Sequence, residues 1–283
     1  MNDYRKNISD LEADADRAHL PASKVSLSIP ASRGREPVPL EVRLIQEQLR
    51  LVALIDRSER SADASALADR AASLLADLNS ERSLAFSNET ERGKPAFDDL
   101  RKSYRKDFAT MRVDAERVRA VQAVVDTMVL FRRRYEAVSE KATVPWYFIA
   151  VVHNMEASLN FQAHLHNGDV PLSKQTRNVP AGRPSPWSPP KSWAESALDA
   201  LQFMNYFNAQ DWSIERMLYR FENFNGWGYQ YKKVPSPYLW SFSNHYKSGK
   251  FTKDRVYDAN AKSRQVGAAV LLKQFSDRGL ISA

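Results

Sequence analysis

The stretch VPWYFIAVVHNMEASLNFQAHLHNGDVPL, residues 144–172, decides how the rest of the chain is read. Thr143 is a candidate N-cap and Pro145 pre-sets φ for a first helical turn, so a helix is expected to start here and run to about Ser158. Trp146, Tyr147, Phe148, Ile149, Ala150, Val151, Val152, Met155 and Ala157 leave it almost no polar face, the mark of a helix buried nearly all round. Glu156 sits at the end of this apolar run. Desolvation and the negative end of the helix dipole both penalise its charged form, so its pKa is expected to rise, as a general acid requires.

After Glu156 the period changes. Leu159, Phe161, Ala163 and Leu165 alternate with Asn160, Gln162, His164 and His166, which predicts a half-buried strand with one polar face. Asn167-Gly168 is a strong hairpin signal, and a two-residue turn there sets Asp169 opposite His166 on the wet side. Pro171 shortens the return strand or confines it to an edge. One stretch thus offers a buried acid at a helix end and a second carboxylate at a polar turn, two environments that push carboxyl pKa values apart. The plainer reading of the same residues is a glutamate that reaches solvent and an ordinary Asn-Gly-Asp turn.

A glutamate closing an apolar helix, followed by a small polar hairpin, resembles the core of the lysozyme-like superfamily, with its goose-type and phage lysozymes and soluble lytic transglycosylases. The runs HNMEAS and NFQAHLHNGD are similar to those of bacterial and phage peptidoglycan hydrolases, and the resemblance covers Val144 to Phe275, about half the chain. It implies Glu156 as catalytic acid and Asp169 as the hairpin carboxylate that positions water or stabilises an oxocarbenium-like state. It implies saccharide contacts from His164, His166 and Asn167, from Tyr229 and Trp227 in the turn NFNGWGYQY, and from Tyr238, Trp240, Asn244 and Tyr246 in SPYLWSFSNHY.

The expected function is therefore cleavage of the β-1,4 bond between N-acetylmuramic acid and N-acetylglucosamine in peptidoglycan, without a cofactor. Attack by water makes a muramidase, attack by the muramic 6-hydroxyl a lytic transglycosylase, and chitin-like glycans are a related substrate. The non-enzymatic alternative is an inactive wall-binding or structural protein of a phage or secretion machine. A rival use of His153, His164 and His166 is zinc binding, but HExxH is missing and the chain has no Cys, so no metal is expected.

Charge and aromatic content agree with a polysaccharide partner. Of the net +7, residues 145–283 carry 16 Lys+Arg against 10 Asp+Glu, together with all 6 Trp, 8 of 11 Tyr and 9 of 13 Phe. Rings stack on sugar faces and cations attract an anionic wall polymer. No RRM, KH, zinc-finger or basic-helix pattern points to nucleic acid. The N-terminus has no apolar signal core, and no apolar run is long enough for a membrane span, so synthesis without a classical signal and action at the wall after release or specialised export are expected.

Outward from the core stretch, three units are expected in a mainly α (α+β) chain with one small β-hairpin: a tail and linker over 1–37, a helical region over 38–112 and the lysozyme-like domain over 113–283. The linker holds a short strand candidate at Val25–Ile29. Helices are expected over Leu40–Asp56, Asp63–Leu84 and Ala96–Ser139, and they offer a surface for a protein partner or a scaffold for the catalytic core. The proline-rich run VPAGRPSPWSPP, residues 179–190, predicts an irregular loop able to offer Arg183 or Trp187 to substrate. Ser192 and Glu195 form a capping box for a helix over Trp193–Phe207, and Asp211 caps the next. Asn225-Gly226 ends that helix, Gly228 allows close backbone approach, and a last helix spans Ser263–Phe275.

Overall fold

The computed structural model describes residues 93–187, 192–253 and 256–281. The expected strand at Val25–Ile29 and the helices over Leu40–Asp56 and Asp63–Leu84 lie outside the described residues. Within them the chain is mainly helical, with one two-stranded antiparallel sheet. In order come α1 (Phe97–Thr110), a 3-10 turn (Ala115–Arg117), α2 (Val118–Leu130), α3 (Arg132–Ala142), α4 (Trp146–Ala157), α5 (Trp193–Phe203) and α6 (Ile214–Asn225). Then follow α7 (Gly228–Lys232), α8 (Pro237–Trp240), β1 (Lys250–Lys253), β2 (Val256–Asp258) and α9 (Ala268–Asp277). Among the described residues no helix is long and apolar enough to cross a membrane.

The apolar run of α4 is the centre of the fold. Phe148, Ile149, Ala150, Val151 and Val152 have no exposed surface, and α2, α3, α6 and α9 pack around them. Burial on every side, rather than propensity, stabilises a helix with this many β-branched and aromatic residues. Thr143 does not cap α4. It adopts a left-handed φ of 55° and ends α3, while Pro145 takes the cap position of α4. Inside the core, Phe148 stacks on Phe221 of α6 with ring centroids 4.6 Å apart.

The long helix expected over Ala96–Ser139 is three helices. The chain is extended at Met111 and bridges from Val113 to Ser243, with Asp114 N–H donating to the Phe242 carbonyl at 3.0 Å. α1 packs on α6, and Tyr104 and Met111 belong to the same core as α4. Gly267 precedes α9 where a Cβ would lie 2.2 Å from the Leu239 carbonyl oxygen, so only glycine lets α8 and α9 approach this closely.

The small hairpin is not where the alternation placed it. Residues 159–172 form turns and irregular backbone, and the antiparallel pair is β1 with β2, in register Phe251 to Tyr257. The alternation misleads because its polar members are buried anchors rather than a wet face. Asn160, His164 and His166 are all buried, each with a partner inside the loop or on α5. A period of two needs water on one side to mean a strand, and here protein lies on both.

Candidate functional site

Glu156 occupies the last turn of α4 and is 5% exposed. Tyr238 of α8 donates its phenol O–H to Glu156 Oε1 at 2.7 Å. α8 is fixed for this contact by its own first turn, with Pro237 at its start and Trp240 N–H donating back to the Ser236 carbonyl at 2.9 Å. The end of α4 is finished unusually. Ser158 and Leu159 take left-handed φ values of 50° and 62°, and their N–H groups donate to the Asn154 and His153 carbonyls at 3.0 and 3.3 Å. Non-glycine residues in this conformation each cost about 1 kcal/mol or more, held only because the surroundings fix them. Gln265, just before α9, donates Nε2 to the carbonyls of Asn154 and Met155 at 3.2 and 3.0 Å. Two separate segments, α8 and the stretch before α9, therefore converge on the turn that carries Glu156.

Asp169 is not at a wet turn. It is 9% exposed and accepts from Arg177 N–H (2.7 Å), Asn178 N–H (2.8 Å), Asn178 Nδ2 (2.6 Å) and Asn167 Nδ2 (3.2 Å). The turn is held by Asn167 Oδ1 accepting from Asp169 N–H, with Gly168 alone at positive φ (75°). Asp169 is backbone-paired to His164, through His164 N–H at 2.8 Å, and does not face His166 as a two-residue turn would require. Its carboxylate organises the loop of residues 164–178.

The two expected groove histidines also face inward. His164 donates Nε2–H to the Lys174 carbonyl at 2.7 Å, which leaves Nδ1 to accept from Ser196 Oγ at 2.8 Å. Burial lowers its pKa, partly offset by the Lys174 carbonyl, so the ring is held neutral. His166 donates Nε2–H to Asp199 Oδ2 at 2.7 Å, and its buried Nδ1 has no partner among the described residues. Asp199 also receives a two-pronged contact from Arg183, Nε at 2.9 Å and Nη2 at 2.6 Å. Burial works to raise the Asp199 pKa, but His166 and Arg183 outweigh it and hold the carboxyl below its usual range. Among the described residues no group of three His, Asp or Glu side chains is placed to hold a metal ion.

The aromatic residues expected on exposed loops are buried. Trp227 and Tyr229 have no exposed surface; Trp227 lies against Tyr219, and Tyr229 Oη accepts from Phe251 N–H at 3.1 Å. Gly228 makes the close approach expected of it, since a Cβ would sit 3.2 Å from the Phe251 ring. Trp240 is buried against His245, and Tyr246 Oη accepts from Ser263 N–H at 3.1 Å. Asn244 is exposed, but its side chain ties residue 244 to α1, accepting from Arg112 N–H at 2.6 Å. Tyr238, one of the expected saccharide-contacting side chains, is brought into hydrogen bond with Glu156. Asp211 is likewise not the N-cap of α6; Ser213 holds that position and Asp211 accepts from its N–H at 3.0 Å. Ser192 caps α5 as read, with Glu195 N–H donating to Ser192 Oγ at 3.3 Å.

A second buried carboxyl was not read from the sequence. Glu222 on α6 is 1% exposed and its Oε2 accepts from Tyr104 O–H of α1 and from Gln230 Nε2 of α7, the latter at 2.6 Å. Burial pushes it up to about 7, against the pull of both donors. The signal was available: position 222 falls four residues after Leu218 and so lies on the buried stripe of α6. Compared with protein-family models, curated proteins and solved structures, the chain matches none.

Proposed function

We propose that this chain cleaves the β-1,4 glycosidic bond between N-acetylmuramic acid and N-acetylglucosamine in peptidoglycan, with Glu156 as the general acid. The observation that carries this is the Glu156–Tyr238 contact, which joins the two sequence runs that resemble lysozyme-like proteins across a separation of 82 positions. Protonating a leaving glycosidic oxygen needs a carboxyl that keeps its proton until positive charge grows on the sugar ring. Tyr238 fixes the carboxyl's orientation through the O–H it donates to Oε1.

Asp169, engaged by four donors from its own loop, is assigned to loop structure. That favours, as a second reading, chemistry that needs one carboxyl only: Glu156 gives its proton to the departing O4 as the C1–O4 bond breaks and the muramic 6-hydroxyl bonds to C1, and the resulting Glu156 carboxylate takes the proton that the 6-hydroxyl loses. Digestion of purified peptidoglycan followed by mass spectrometry tests both. Reducing muramic ends identify a hydrolase and 1,6-anhydro ends a transglycosylase. Absence of soluble fragments from folded protein rejects both and leaves the non-enzymatic wall-binding role.

A further inference from the structure

Away from Glu156, the structure holds a charged cluster that opens onto an exposed ring. Asp199 on α5 is gripped from one side by His166 and from the other by the Arg183 fork. The same guanidinium lies over the ring of Phe203, 5.0 Å from its centroid, and that ring is 47% exposed at the end of α5. Arg183 is fixed through its backbone as well. Thr176 N–H donates to the Arg183 carbonyl at 2.8 Å, and Arg183 N–H donates to Thr176 Oγ1 at 2.9 Å. Its Nη1 makes no hydrogen bond among the described residues, while its side chain remains partly accessible at 22%.

We propose that Arg183 and Phe203 form a saccharide-binding subsite for N-acetylhexosamine units of a glycan strand, an inference that rests on the glycan-cleaving reading above. Charge chooses the ligand class. The Arg183 cation is matched by Asp199 in the same fork, so a phosphate or carboxylate meets little net field. What remains, among the described residues, is Nη1 with two N–H donors not used by Asp199, on a partly accessible guanidinium beside an aromatic ring. Donors of that kind suit an acetamido carbonyl or ring hydroxyl, and the ring suits the C–H face of a pyranose. Because Asp199 holds the guanidinium and Thr176 holds the Arg183 backbone before a ligand arrives, little side-chain entropy is lost on binding.

The test is a titration of tetra-N-acetylchitotetraose into the full-length E156Q protein, alone and with Phe203→Ala or Arg183→Ala added, with thermal unfolding of each. Phe203 is half-exposed, so its removal leaves the fold intact and serves even where Arg183→Ala loosens the loop. Binding about tenfold weaker in the Phe203→Ala protein, at unchanged melting temperature, supports the subsite. Equal binding in both proteins overturns it and leaves the glycan-cleaving reading standing. No binding by either, with peptidoglycan fragments still released by the wild type, does the same. No binding and no fragments reject both.

Discussion

Glu156 and Glu222 are near-twins in construction. Each lies near the end of a buried helix, each is almost without exposed surface, and each accepts an O–H from a tyrosine far away in sequence. They differ in what surrounds them. Glu222 ties α1, α6 and α7 together, taking two donors on a single oxygen. Glu156 sits at a helix end followed by two left-handed residues, where the chain bends away sharply. A buried carboxyl is thus a poor guide to chemistry by itself. Two donors on one oxygen make Glu222 a structural clamp, whereas the left-handed pair Ser158 and Leu159 follows Glu156 and supports the site proposed there.

The sharpest break between the two comes from paired substitutions. Glu156→Gln keeps the shape and removes the transferable proton, so peptidoglycan cleavage is expected to fall about a hundredfold or more. Glu222→Gln is expected to leave cleavage within about twofold, since an amide can still accept from Tyr104. Fragment release timed by mass spectrometry measures both. Activity lost in Glu222→Gln and kept in Glu156→Gln would exchange the two assignments.

The pH dependence of stability separates them next. Glu222 is raised from 4.5 to about 7 in the folded chain. Between those values the folded protein holds a proton that the unfolded chain has released, so stability falls as pH rises through the window. The whole cost, on the order of 3 kcal/mol, is present above pH 7. Neutral burial of His164 acts the other way below about 6.5, and Asp211, held at about 2, acts only in strong acid. Comparing wild type with Glu222→Gln at pH 5 and pH 8 cancels those contributions. The variant is expected to gain most at pH 8, read as melting temperature; equal gains at both would show that Glu222 does not titrate there.

How much of this was legible in the sequence follows the same divide. The apolar run of α4, the Ser192 cap of α5 and the Gly226 stop of α6 are local signals, and each appears in the structure. The hairpin over residues 159–172 was misread because alternation was taken for one wet face, whereas His164 and His166 face α5 and the loop. Asp169 was misread for the same reason, since its four donors come from residues 167–178 through a fold that no periodicity reports. Tyr238 was read as a saccharide contact, through resemblance, and its place beside Glu156 across the chain was not read. Tyr104 beside Glu222 was not, because the contact spans 118 residues and neither position stands in a motif.

The smallest effect tests whether the two tyrosines do the same work. Tyr104→Phe leaves Gln230 on Glu222 and removes a donor that pulls its pKa down, so the stability loss with pH should extend to higher pH. Tyr238→Phe should cost about 1 kcal/mol in unfolding free energy, the usual size of one buried hydrogen bond. Its larger consequence is expected in turnover. Without the phenol to fix Oε1, the Glu156 carboxyl spends less time aligned with the leaving oxygen, so kcat should drop about tenfold with KM little changed. An unchanged kcat beside the same loss of stability would make Tyr238 a clamp like Tyr104, and the contrast between the two glutamates would then rest on the bend after α4 alone.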